Sequence, residues 1–279
     1  MNDRVFDLTT DLDAGLAAAA QAIRDGECVV MPTDTVYGIA ASAFSRKAVK
    51  KLLEAKQRGD DMPPPVLIAE PSMLRAFTAN LPRSAVKLAD QFWPGALTMI
   101  LTMQKSLQLQ IGETGGTVAV RVPNHDQARA LLRRTGPLAV SSANLHGQDP
   151  ATTCEQALEA LGESVAVYLD GGPTPGLTPS TIVDFTRFNG GQIMREGGYG
   201  FEELKKVALR LRDIVKPEPA ELDAPEGQPA LEGPESGAEA EAAESAAKES
   251  DAAPEESETA QTVEAESAPD TEQEASSQG

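Results

Sequence analysis

Cysteine and histidine are scarce in this chain: among 279 residues the only cysteines are Cys28 and Cys154, and the only histidines His125 and His146. No zinc-finger type of ligand set can be assembled from so few, so no metal site is expected. A Ser–His–Asp arrangement is equally hard to build. His125 reads as a helix-start residue, His146 as a solvated turn residue, and Cys28 as a buried, reduced thiol in an apolar strand. No run of 18 apolar residues occurs, so no helix is expected to span a membrane. The first residues lack the basic-then-apolar order of a signal peptide, and these absences together point to a cytoplasmic protein. Two phosphate-binding signatures are missing as well: no G-x-G-x-x-G follows a strand, and there is no G-x-x-x-x-G-K.

Basic residues are nearly absent from one end. Of 43 acidic and 24 basic residues, 19 and one respectively fall in 217–279, so that segment carries −18 of the formal −19. It contains no Phe, Tyr, Trp, Ile or Met. Without such residues it cannot bury enough surface to offset roughly 1–2 kcal/mol of backbone entropy per ordered residue. A folded domain over 1–215 and a disordered acidic tail over 216–279 are therefore expected. The remainder of the chain is close to neutral, which argues against a pure RNA-binding module.

Hydrophobic periodicity outlines the domain. Leu12, Leu16, Ala19, Ala20 and Ile23 recur at helical spacing before Gly26. Ser45 can cap a helix through Lys56 that buries Val49, Leu52 and Leu53. Pro71 and Pro82 each stand where a helix can begin. Further helices are expected at 126–134, 154–161 and from 201 to about 215. Strands are expected at 28–31, 66–69, 96–102, 117–122, 138–141, 165–169, 181–185 and 192–195. Some neighbouring strands lack a helix between them, so the predicted fold is α/β with one open, twisted, mixed sheet.

Ligands in open α/β sheets bind at strand ends, which directs attention to polar loops there. Pro32-Thr33-Asp34-Thr35-Val36-Tyr37-Gly38 offers hydroxyls and a carboxylate, with Gly38 permitting an unusual turn; a helix cap and turn is the alternative. Lys56 and Arg58 end a helix ahead of three prolines. They can complement the helix C-terminus, or clamp polyphosphate. Arg121 closes a strand and can be a surface ion-pair residue. Ser141-Ser142-Ala143-Asn144 follows another strand with small polar groups suited to close approach of a phosphate. Ser180-Thr181 and Arg195-Glu196-Gly197-Gly198 repeat the theme.

Read together, PTDTVYG, KQR, TVAVRVP, SSAN, STIVD and MREG stand in an order that resembles the YrdC-type threonylcarbamoyl-AMP synthase family over about 8–199. The resemblance implies a single domain around a large positively charged cavity. It implies L-threonine binding by Thr35, Arg121 and Ser180, and ATP binding by Lys56, Arg58, Met62, Thr117, Ser142, Asn144 and Arg195. Lys56 and Arg58 would be the catalytic cations. Where many relatives carry a His after the Lys-x-Arg motif, this chain has Leu67, so that contact to threonine is missing and the nucleotide contact near Met62 is through backbone. The implied reaction joins L-threonine, bicarbonate or carbon dioxide, and ATP, with Mg2+ accompanying the ATP and no dedicated protein site for it. The product would pass to proteins that modify tRNA, with at most weak tRNA contact by the chain itself. A YciO-type paralogue with another substrate is the main rival; a carbamoyl-adenylate former lacks support, since no cysteine-rich zinc segment is present.

The charge division generates the first prediction. Removing 217–279 should leave melting temperature and turnover almost unchanged, because a segment without apolar anchors contributes little packing. A drop of several degrees, or a loss of turnover, would show that the segment docks on the rest of the chain.

Overall fold

The computed structural model describes residues 3–59, 63–176 and 178–214. The expected tail and Met62 lie outside them. Ten strands form one sheet in the order β1-β8-β2-β3-β7-β4-β6-β5-β9-β10. The strands are β1 (Val5–Asp7), β2 (Val29–Met31), β3 (Gly38–Ser42), β4 (Val66–Leu67), β5 (Leu97–Thr102), β6 (Thr117–Arg121), β7 (Leu138–Ser142), β8 (Val167–Asp170), β9 (Thr181–Asp184) and β10 (Gln192–Arg195). Pairing is mixed: β2 runs parallel to β8 and antiparallel to β3, and β5 runs parallel to β9 and antiparallel to β6.

Strand alternation divides the core between the two faces of the sheet. On one side Val29, Met31, Ala40 and Leu138 meet α1 (Leu12–Arg24) and α5 (Asp126–Thr135) through Leu16, Ile23, Leu131 and Leu132. On the other, Val30, Ile39, Ala41 and Val120 join α2 (Arg46–Ala55), α4 (Arg83–Phe92) and α6 (Cys154–Leu161). Burial of both faces explains why the central strands read as short continuous apolar runs. Helix starts follow the capping signals: Ser45 accepts from the Ala48 amide, and Thr153 with Gln156 forms a capping box. A short 3-10 turn (Pro71–Met73) leads into α3 (Leu74–Phe77).

Three expectations are corrected. Gly38 does not serve a turn; it is the first residue of β3 and pairs with both Met31 and Ser142. Its hydrogen side chain is required by proximity, since a Cβ there would lie 2.7 Å from Val140 Cγ1. The last helix, α7 (Phe201–Val207), stops well short of residue 215 because the following chain turns back toward the sheet. Arg212 bridges Gln192, accepting from the Ile193 amide and donating to the Gly191 carbonyl, while Leu211 is buried. Finally, β1 and β3 complete the sheet where no strand was expected.

The turn after α2 places the first cationic pair. The Arg58 amide donates to the Leu53 carbonyl and the Gln57 amide to Glu54, the paired bonds of a Schellman termination. Gln57 takes the left-handed conformation at φ 54, where glycine is usual, so a local backbone cost of roughly 1 kcal/mol is carried between Lys56 and Arg58.

Candidate active site

Loops from five strands enclose a cavity of about 590 Å³. Its wall is made by Pro32–Thr35 after β2, Gly95 and Ala96 before β5, Asn124 and His125 after β6, the glycine-rich stretch 171–176 after β8, and Gly198 and Tyr199 after β10. The expected charge is not on the wall itself. Asp34 and His125 are its only titratable residues besides Tyr199, and no Lys or Arg lines it among the described residues. The cations stand behind.

Arg121 is the nearest of them, with 7% exposure. Its Nη2 donates to Asp34 Oδ1 at 2.6 Å, its Nη1 to Thr35 Oγ1 at 3.1 Å, and its Nε to the Gly95 carbonyl at 3.0 Å. All three partners line the cavity. The surface-pair alternative for Arg121 therefore fails. A guanidinium carries five N–H groups, so two remain for a ligand oxygen. Thr35 is itself set by Thr33, whose hydroxyl accepts from the Thr35 amide, lies 3.0 Å from Thr35 Oγ1 and donates to the Val36 carbonyl. Leu67 is paired with Arg121 across β4 and β6 and packs into the apolar core, so it offers nothing polar there.

A second group stands where β5, β9 and β10 meet, and its residues Thr98, Ser180 and Arg195 do not line the cavity. Thr98 and Ser180 share a hydroxyl hydrogen bond at 2.8 Å, and Arg195 donates to the Ser180 carbonyl through Nε and Nη2. Partial desolvation and then the charge of Arg121 depress the Arg195 pKa. Thr181 organises the loop beyond β10 by accepting from the Gly197 and Tyr199 amides and donating to the Tyr199 carbonyl. Gly197 has no room for a side chain, since a Cβ would sit 2.1 Å from the Pro179 carbonyl.

Lys56 belongs to a separate group. Only 2% exposed, it donates to the carbonyls of Ser142 and Asn144 at 2.5 and 2.6 Å, with Asn144 Oδ1 at 3.4 Å. Its amine thus pins the Ser142–Asn144 turn, which also accepts structure from the first loop through the Ala143 amide and the Tyr37 carbonyl. Burial, with the Arg58 charge beside it, brings the Lys56 pKa down to about 8, so it stays largely protonated at neutral pH. Thr117 joins neither group. It starts β6, four residues from Arg121, and donates to the Thr114 carbonyl.

Sequence reasoning undervalued several wall residues. Asp34 stood in the quoted motif as a carboxylate able to meet a polar substrate, and its pairing with Arg121 was not foreseen. Tyr37 and the segment after β8 had no role, although Tyr37 donates to the Gly172 carbonyl and accepts from the Gly171 amide. The signal was Asp170-Gly171-Gly172, a glycine pair directly after a strand. His125 is the helix-start residue expected, its Nδ1 accepting from the Ala128 amide at 3.3 Å, but it also lines the cavity. Burial lowers its pKa against the opposing pull of Asp34 and Asp126.

Residues 21–197 match the sequence model of the Sua5/YciO/YrdC family, described as telomere recombination. A Mycobacterium tuberculosis protein provisionally named threonylcarbamoyl-AMP synthase is 46% identical over 193 residues, covering 69% of this chain and 88% of its own length. The threonylcarbamoyl-AMP synthase of Bacillus subtilis is 39% identical over 206 residues, covering 72% of this chain and 59% of that one. A crystal structure of Pyrococcus abyssi Sua5 complexed with L-threonine superposes with a TM-score of 0.67 at 37% identity, over 71% of this chain and 58% of that chain. The chain thus spans under two thirds of the last two. With the sheet, the loop motifs and these similarities in agreement, the chain belongs to the Sua5/YciO/YrdC family, as an enzyme of its threonylcarbamoyl-AMP synthase type.

Proposed function

We propose that this enzyme joins L-threonine, bicarbonate and ATP into threonylcarbamoyl-adenylate, releasing pyrophosphate. The observation that carries the reading is the buried Arg121, bonded to Thr35 and Asp34 at the cavity wall. A guanidinium with two N–H groups to spare suits an amino-acid carboxylate, and the adjoining hydroxyl of Thr35, with that of Ser180 as the resemblance implies, suits the threonine side chain. That the similar Pyrococcus abyssi protein crystallised with L-threonine supports the same assignment.

The amine of threonine adds to the carbon of bicarbonate, giving a carbamate and water. A carbamate oxygen then attacks the α-phosphorus of ATP, and the bond to the β-phosphate oxygen breaks as pyrophosphate leaves. Such a transfer needs positioning and charge more than a covalent nucleophile. Lys56, Arg58 and Arg195 supply that charge, while Ser142 and Asn144 hold the nucleotide, with Thr117 reaching it from the start of β6 as the resemblance implies. Lys56 acts on it partly through the turn it pins. Magnesium travels with the nucleotide phosphates. The labile mixed anhydride is shielded by the cavity and handed to proteins that modify tRNA, with at most weak tRNA contact by this chain.

Pyrophosphate release should depend on L-threonine and discriminate against L-valine by about 10⁴-fold, because valine leaves the pocket hydroxyls unpaired. Equal turnover of serine, valine and threonine would instead indicate a paralogous enzyme of YciO type. Arg58→Ala and Lys56→Ala should lose adenylate formation while still unfolding cooperatively. In the parent enzyme the KM for ATP should climb as pH rises through about 8, where Lys56 discharges, and Lys56→Arg should remove that dependence. Full activity in both alanine variants would eliminate the phosphate-clamp role.

A further inference from the structure

Among the cavity donors that the proposed reaction has not used, the imidazole of His125 is one whose tautomer the fold fixes. His125 sits at the N-cap of α5, and its Nδ1 accepts from the Ala128 amide. An acceptor nitrogen carries no proton, so the neutral ring holds its hydrogen on Nε2. Among the described residues Nε2 has no hydrogen-bond partner, and the residue lines the cavity together with Asp34 and Thr35. The cap therefore fixes the tautomer. It also rules out the role first expected of an active-site imidazole, because Nε2 cannot take the ammonium proton of an amino acid while Nδ1 is committed to the helix.

The position of this N–H relative to the other groups narrows what it meets. On the reading above, Arg121 takes the amino-acid carboxylate, which leaves the α-nitrogen beside Asp34 and Thr35. Asp34 lies close enough to His125 to act on its charge. A carboxylate group growing from that nitrogen meets a lining that holds no Lys or Arg among the described residues and in which His125 offers an N–H. A neutral donor suits this step: it stabilises the anionic oxygen without holding it as an ion pair against its coming attack on phosphorus.

We propose that His125 donates its Nε2–H to an oxygen of the bicarbonate, and then of the carbamate formed on the amino-acid nitrogen. This rests on the proposed synthase reading and deepens it, assigning the carbonate subsite that the threonine and nucleotide residues leave open.

The test uses the fact that Ser is as good an N-cap as the helix needs, yet it is too short to replace the imidazole donor. His125→Ser, with His125→Asn as a second variant should the first fail to fold, is compared with the parent full-length chain in degassed buffer with graded bicarbonate. The expected result is a melting temperature within about two degrees of the parent and a bicarbonate KM raised about tenfold or more, with the KM for threonine and for ATP little changed. His125→Ala should show the same KM change with a lower melting temperature. An unchanged bicarbonate KM in folded His125→Ser would reduce His125 to a helix cap, and a rise confined to the threonine KM would place the donor on the amino acid instead. Either overturns the proposal. A parent enzyme without threonine- and bicarbonate-dependent pyrophosphate release would overturn the underlying reading, a result distinguishable from both.

Discussion

A carboxylate and a guanidinium, Asp34 and Arg121, meet at 2.6 Å in a setting where both are almost fully buried. Burying two ions is costly, and the pair is tolerable only because Thr35, Gly95 and the loop backbone satisfy the remaining geometry. Removing one partner would strand the other charge at a cost of about 3–5 kcal/mol. The same bonds tie the loop after β2 to the end of β6 and the approach to β5. Much of the cavity wall is therefore positioned by a single side chain that retains donors for a ligand. A hydrophobic substitute could hold these loops together, but it could not recognise an anion.

The remaining cations take their places around that centre with different degrees of freedom. Arg195 is exposed and leans on the Ser180 carbonyl, whereas Lys56 is enclosed and spends its hydrogens on the Ser142 and Asn144 carbonyls. A buried amine in such a position sets the shape of the Ser142–Asn144 turn as well as its charge. The strained Gln57 between Lys56 and Arg58 fits this division, holding one side chain inward beneath the turn while the chain reverses after α2.

Much of this was legible in the residues themselves. α1, α2, α5 and α6 follow from periodicity and caps, and all eight expected strands carry β-branched or large apolar side chains. β3 escaped because Gly-Ile-Ala-Ala-Ser has little β-propensity, and its burial on both faces depends on neighbours far along the chain. β1 is a three-residue edge strand with no alternation to read. The end of α7 is decided by the pairing of Arg212 with Gln192, a contact no local pattern contains. Motif order drew attention to Thr35, Arg121, Ser180 and Arg195, but not to the bonds that join Thr35 to Arg121 and Ser180 to Arg195. The Asp34–Arg121 pair spans 87 residues of sequence. The absence of Lys and Arg from the cavity wall among the described residues was hidden for the same reason, since charge composition does not say which cations face a cavity and which stand behind it.

The account turns on Arg121 as the anchor for the amino-acid carboxylate. The most direct measurement is calorimetric titration of L-threonine into the parent enzyme and into Arg121→Lys, which keeps the charge but not the fork of donors. The account predicts that threonine affinity falls by roughly tenfold to a hundredfold in a variant that still unfolds cooperatively and still binds ATP. Threonine affinity equal to that of the parent would contradict it.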